Sequence, residues 1–215
     1  MTQTNANEFV PFLAKCGAIQ FGSFVTKSGR VSPYFVNMGT VCSGEGLALL
    51  ACCYAEIFQK YFANKASNLF GPAYKGIPLC AATATALHRE CGIDVSFTYN
   101  RKEAKDHGEG GVLVGDLYAE KKQVVIIEDV ITAGTSMEET MNMMSLMPNA
   151  KVIGLIVAID RKEKLGDGKS ALQQVKEKYG IEAYAIASID DILMFAPKEY
   201  KENIENYRRE WGVDD

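Results

Sequence analysis

The rhythm of apolar and polar positions changes repeatedly along this chain. Phe9, Phe12 and Leu13 recur at helical spacing and predict an N-terminal helix. From Ile19 to Val36 the pattern is mostly extended, with a turn at Ser28-Gly29, and Pro33 holds Ser32 away from helical geometry. Gly44 to Tyr61 carries a broad apolar face and predicts a long helix. Asn68 to Phe70 reads as a short strand that stops at Gly71-Pro72. Alanine-rich Gly76 to Cys91 predicts a helix ending at Gly92, where a C-cap glycine belongs. Ile93 to Tyr99 alternates like a strand, whereas Asn100 to Gly111 is polar, charged and glycine-rich and predicts an exposed loop. Strand Gln123 to Ile127, helix Thr135 to Met147 and strand Lys151 to Ile159 follow. The chain closes with helix Ser170 to Tyr179, strand Ala183 to Ala187 and helix Lys198 to Trp211.

Strands alternating with helices imply parallel crossovers. The wholly apolar strands at 124–127 and 152–159 predict a central parallel sheet covered on both faces, hence an α/β fold. There is no internal repeat or long linker, and 215 residues suit a single domain over 1–215.

Composition narrows the class. Apolar residues make up 47% and charged residues 23%, as in a globular protein, and the net charge of -4 weighs against broad nucleic-acid or anionic-membrane binding. No apolar run reaches the roughly 20 residues of a membrane helix, and "MTQTNANEF" has no basic head and apolar stretch of a secretory signal. Six cysteines form no C-x-x-C pair and only two histidines accompany them, so reduced, buried thiols in the cytoplasm are expected and a zinc site is not.

The chemistry concentrates in "VVIIEDVITAGTSMEE", Val124 to Glu139. Glu128 and Asp129 stand at the end of an apolar strand, where ligands bind in open α/β sheets. The turn then enters a helix whose first N–H groups lack internal partners and favour an anion. Gly134 permits close approach, and Thr132, Thr135 and Ser136 add hydroxyl donors. Such a cradle suits a phosphate, which two carboxylates would repel unless they faced another part of the same ligand. Sugar hydroxyls resolve the conflict, so a phosphorylated sugar explains both halves. Read without its context, the same pattern is a capped helix start beside two solvated acids. A second cluster, Arg101, Lys102, Lys105 and His107, crowds positive charge into a loop of an acidic protein and suits a pyrophosphate, with Gly108, Gly110 and Gly111 allowing movement.

"IIEDVITAGTS" resembles the phosphoribosyl-pyrophosphate (PRPP) motif of type I phosphoribosyltransferases. Together with "FVTKSGRVSPYF", "GPAYKGIPL" and "YNRKEAKDHGEGG", it resembles the orotate phosphoribosyltransferase family over nearly the whole chain. That resemblance implies the type I phosphoribosyltransferase fold, with a small hood from residues 1–40 and part of the C-terminal region. It implies magnesium-dependent transfer from PRPP to orotate, giving orotidine 5'-monophosphate and pyrophosphate in UMP synthesis. It implies a cytoplasmic homodimer with shared active sites, with magnesium held by PRPP and water rather than directly by the protein.

Carried over by residue, the resemblance gives Lys27, Tyr74, Lys75, Arg101, Lys102, Lys105 and His107 contacts to PRPP, the last four from a closing loop. Glu128 and Asp129 would hold the ribose hydroxyls, with Val130, Ile131, Thr132, Ala133, Gly134, Thr135 and Ser136 around the 5-phosphate. Lys27, Phe35, Val36, Thr132 and Arg161 would meet orotate, and Lys75, Lys105 and Asp129 would be the catalytic set. Thr26, Cys80 and Val36 depart from the family pattern, but no charged position is missing. Isolated, Arg161 reads as a surface arginine paired with Asp160 or Glu163. Asp190 and Asp191 resemble a helix N-cap, and Met141, Met143, Met144 and Met147 suit packing. Two other classes compete with this reading: a purine or uracil enzyme of the same fold, and a PRPP-sensing regulator that binds nucleic acid. The 27–35 and 99–111 stretches speak against the first, and the absence of a basic face or added DNA-binding segment against the second.

Overall fold

A computed structural model of the chain describes residues 6–26, 28–105, 111–131 and 135–213. Helix α1 (Ala6–Lys15) leads into the antiparallel hairpin β1 (Ile19–Val25) and β2 (Val31–Val36), a two-stranded sheet of its own. A short 3-10 turn, Met38–Thr40, precedes helix α2 (Gly44–Phe62), whose first turn is capped by Ser43 Oγ accepting the Gly46 N–H at 3.0 Å. Strand β3 (Asn68–Gly71) and helix α3 (Gly76–Ala86) follow, and a π-helical turn ends at Gly92 with φ 66. That left-handed conformation suits glycine and ends the helix as expected.

Beyond it run β4 (Ser96–Lys105), β5 (Gly111–Gly115), β6 (Lys122–Val130), α4 (Thr135–Ser145), β7 (Ala150–Asp160), α5 (Ala171–Tyr179), β8 (Glu182–Ser188), α6 (Ile189–Phe195) and α7 (Lys198–Trp211). Six strands make one sheet in the order β5-β4-β3-β6-β7-β8; only β5 is antiparallel to its neighbour. Alternate residues of the central strands supply opposite layers. Val125, Ile127, Ile156 and Ala158 pack with α2, α3 and the N-terminal hairpin, whereas Val124, Ile126, Leu155 and Val157 pack with α4 and α5. Both faces are covered, which explains the unbroken apolar runs. The hairpin is tied to the C-terminal helix by Phe21 stacked on Tyr200 at 5.7 Å and Tyr34 edge-on to Tyr207 at 6.3 Å.

Several boundaries differ from the sequence expectation. Residues 100–105 are not a loop: β4 continues to Lys105 and pairs with β5, Asn100 opposite Leu113 and Lys105 opposite Gly111. Lys102 and Glu103 are exposed there, and a solvated ribbon has the composition of a loop. Residues 93–95 precede the strand, whose first pair sets Asn68 against Ser96. Helix α4 stops at Ser145, ahead of Met147, because Pro148 disfavours helix at the residue before it. Ser188, not Asp190 or Asp191, caps α6; Asp191 closes the capping box by accepting the Ser188 N–H at 2.7 Å. All six cysteines are free, but only Cys53 and Cys80 are buried, and Cys42 is exposed. Met144 is buried, and Met141, Met143 and Met147 pack against the same cluster. Among the described residues no helix is long and apolar enough to cross a membrane.

Candidate active site

The strand order reverses at β3 and β6: the chain runs outward from β3 to β4, then from β6 through β7 to β8. Segments leaving the carboxyl ends of these two strands diverge and leave a crevice. Gly71 to Lys75 lies at one, and Glu128 to Ile131 at the other. Gly71 is required by close approach, since a Cβ there would collide with the Gly76 carbonyl. The Ala73–Tyr74 peptide bond is cis. The Ala73 N–H donates to Asn100 Oδ1 at 2.9 Å, tying this turn to β4.

Across the crevice, Lys75 Nζ donates to Asp129 Oδ2 at 2.7 Å. The other Asp129 oxygen accepts the Val130 N–H at 2.8 Å, so the carboxylate is fixed at both ends. Glu128 Oε1 accepts the Asp129 N–H at 3.0 Å. From below, the fully buried Tyr54 hydroxyl donates to the Glu128 carbonyl at 2.7 Å and anchors the strand end to α2. Burial pushes the Glu128 carboxyl up to about 7; the Asp129 charge adds to this and Lys75 opposes it.

Cationic and aromatic groups line the open side. Tyr74 is 68% exposed, and Lys102 Nζ lies 5.2 Å from its ring centre. Arg101 Nη1 donates to the Gly111 carbonyl at 3.4 Å. Beside Lys75, an apolar cavity of about 300 Å³ opens between Met38, Leu47, Leu50 and Leu79. It neighbours the acidic pair without containing it. Glu128, Ile131 and Ser136 instead share a tight recess with Pro72 and Thr140. Ile131 is buried, Val130 half-buried and Ser136 exposed at the start of α4.

Arg161 follows β7 at the same sheet edge, because Ile159 pairs with Val130, directly after Asp129. It is not at the surface: it is 9% exposed. Its Nε donates to Glu163 Oε1 at 2.8 Å, and its guanidinium lies 4.3 Å from the Tyr34 ring centre. Of the two neighbouring carboxylates, Glu163 accepts from Arg161, and Asp160 Oδ1 accepts the Lys162 N–H at 2.9 Å. A 3.1 Å bond from Nη2 to Ser32 Oγ joins Arg161 to β2, the strand that carries Phe35 and Val36. Phe35 is exposed and stacks on Phe24 at 5.5 Å; Val36 is half-buried opposite Ile19.

The structure thus brings Tyr74, Lys75, Lys102, Glu128 and Asp129 together, and joins Arg161 to the hairpin of Phe35 and Val36. Lys27, His107, Thr132, Ala133 and Gly134 lie outside the described residues; of Lys105 and Thr135 the backbone alone is described, closing β4 and opening α4. Sequence reasoning missed Tyr54, Asn100, Ser32, Tyr34 and Tyr207. Of these, Asn100 carried a signal in its place at the head of the basic stretch, and Ser32 and Tyr34 in theirs within "FVTKSGRVSPYF".

A phosphoribosyl transferase domain model matches residues 45–185. An orotate phosphoribosyltransferase of Bordetella avium is 44% identical over 220 residues, covering 97% of this chain and 98% of its own. That of Lachnoclostridium phytofermentans is 41% identical over 218 residues, covering 96% and 97%. The crystal structure of orotate phosphoribosyltransferase from Francisella tularensis matches with a TM-score of 0.83 at 37% identity, over 95% of this chain and 99% of that one. Near full-length similarity of this degree, on the same sheet and crevice, leads to one conclusion: the chain belongs to the orotate phosphoribosyltransferase family, with the type I phosphoribosyltransferase fold.

Proposed function

We propose that the protein moves the 5-phosphoribosyl group of PRPP onto the ring nitrogen of orotate, yielding orotidine 5'-monophosphate and pyrophosphate, in the cytoplasmic synthesis of UMP. The observation that carries this reading is the Lys75–Asp129 pair across the switch point, with Glu128 beside it. A sugar phosphate needs both halves of that pair: acceptors for its hydroxyls and a cation for its leaving diphosphate.

The bond from the anomeric carbon to the diphosphate oxygen breaks, and one to the orotate nitrogen forms. Positive charge develops on the ribose ring and negative charge on the departing group. No protein nucleophile is needed, because orotate attacks. Asp129 and Glu128 hold the ribose hydroxyls, and the 5-phosphate lies against residues 130–136 at the N-terminus of α4. Tyr74, Lys75, Arg101, Lys102, Lys105 and His107 surround the diphosphate, with Lys75 and Lys105 as donors aimed at its growing charge. Lys27 reaches PRPP and orotate together. Phe35 and Val36 offer backbone groups to the pyrimidine ring, Thr132 a hydroxyl, and Arg161 its Nη1 hydrogens for the anion, since Nε and Nη2 are engaged by Glu163 and Ser32.

The residues present fit a magnesium ion that arrives on the diphosphate. Lys75 and the Val130 amide already engage both Asp129 oxygens, and a hard cation wanting about six oxygens would draw them from diphosphate and water. When bound, the ion neutralises and orients the leaving group. Two copies share their sites, each loop reaching the neighbour's crevice. Six free cysteines suit a reducing compartment, and neither nucleic acid nor membrane is a partner.

Replacing Arg161 by lysine tests the reading. The KM for orotate should rise roughly 10-fold, the equivalent of about 1.4 kcal/mol, while that for PRPP barely moves. A selective PRPP defect would place Arg161 outside the nucleobase site.

A further inference from the structure

The guanidinium assigned to orotate is not held by β7 alone. Tyr207, on α7, donates its hydroxyl proton to Glu163 Oε1 at 2.8 Å. Arg161 Nε donates to that same oxygen at 2.8 Å, and Arg161 Nη2 lies 2.5 Å from it. Three donor atoms therefore converge on a single carboxylate oxygen. Nη2 also donates to Ser32 Oγ at 3.1 Å, and the Ser32 hydroxyl passes its own proton toward the Tyr34 carbonyl at 2.7 Å. The Tyr34 ring carries the guanidinium face at 4.3 Å.

Edge and face of the guanidinium are thus both fixed, by residues from three separate parts of the chain. Ser32 and Tyr34 are fully buried and Tyr207 nearly so. An arginine side chain has several rotatable bonds, and freezing it at the moment of binding would weaken the grip on a ligand. Here the freezing is done by the fold. The charge arrangement points the same way. Glu163 Oε2 also lies 3.9 Å from Arg30 Nη1, so one carboxylate serves two guanidinium groups and its part beside Arg161 is not to cancel charge. What it supplies is direction, which is what recognition of a planar anion with defined acceptor atoms requires.

We infer that Glu163 and Tyr207 are positioning residues for the nucleobase: acting through Arg161, they set the guanidinium edge presented to the anionic pyrimidine and couple that edge to the docking of α7. The inference rests on the reading of Arg161 as an orotate contact.

Tyr207→Phe removes one hydroxyl and nothing else. Steady-state kinetics, with each substrate varied in turn, should show the KM for orotate raised roughly 3- to 10-fold, the usual worth of one hydrogen bond, with the KM for PRPP within about twofold of wild type. In an Arg161→Lys background the same substitution should add almost nothing, because its route to the substrate is already cut. Equal rises in both KM values, or full additivity with Arg161→Lys, would overturn the inference and leave Tyr207 as packing alone. An unmoved orotate KM in Tyr207→Phe beside a raised one in Arg161→Lys would overturn the positioning role and keep the reading of Arg161. An unmoved orotate KM in Arg161→Lys itself would sink that reading, and this inference with it. Should Tyr207→Phe not fold, Glu163→Gln carries the same test, since it keeps an acceptor oxygen and loses the charge-assisted bonds.

Discussion

Replacing Glu128 by glutamine should change how folding depends on pH. Burial, reinforced by the charge of Asp129, raises this carboxyl from 4.5 to about 7. The unfolded chain releases the proton near 4.5, whereas the folded chain keeps it until about 7. Across that window the folded state binds more protons than the unfolded state, so stability falls as pH rises. The contribution is fully present below the unfolded value and is lost as pH climbs through the folded one. The whole displacement corresponds to on the order of 3 kcal/mol, and solvent at the partly exposed carboxyl reduces this to roughly 2 kcal/mol between pH 5 and 8. Glutamine does not titrate, so the variant lacks this slope. Urea unfolding followed by circular dichroism at several pH values would read it. The free-energy gap between variant and wild type should move by roughly 2 kcal/mol in favour of the variant from pH 5 to 8, equivalent to about 4–8 °C in Tm for a chain of this size. Asp129→Asn should remove only part of the wild-type slope, because burial is the larger cause. Parallel wild-type and Glu128→Gln profiles would refute the reasoning.

Two further outcomes follow. Verified heterodimers of a Lys105→Ala subunit with an Asp129→Asn subunit should regain activity, since sharing leaves one of their two sites intact; no recovery would count against sharing. Gly71→Ala should lose roughly 2 kcal/mol or more in urea unfolding, because the new methyl meets the Gly76 carbonyl, and an unchanged midpoint would contradict that contact.

Much of the fold is legible because the strongest patterns come from one cause. Strands β6 and β7 are buried on both faces, so they read as unbroken apolar runs, and Gly92 and Ser170 mark helix ends by local chemistry. Strand β5 is hidden because it is five residues long, with glycine at both ends and its first two residues exposed. The β4 extension is hidden because its residues are polar wherever they meet water. The acids are legible from residue type and position at a strand end, whereas Lys75, alone a surface lysine by its local pattern, is legible only through the resemblance carried by "GPAYKGIPL". Tyr54, Glu163 and Tyr207 are another matter. Tyr54 acts across 74 positions and Tyr207 across 44, so nothing local distinguishes them from ordinary helix tyrosines. Glu163 was named from sequence as a partner of Arg161, but the convergence of Arg161 and Tyr207 on its half-buried carboxylate, which turns a surface pair into a fixed one, exists only in three dimensions.

The central claim is that orotate is the acceptor. Purified protein with PRPP and magnesium should be offered orotate, uracil, hypoxanthine and adenine in turn, with orotate absorbance and released pyrophosphate followed together. The account predicts loss of orotate, one pyrophosphate per orotidine 5'-monophosphate formed, and no turnover of the other bases. Turnover of hypoxanthine or uracil with orotate untouched would contradict it.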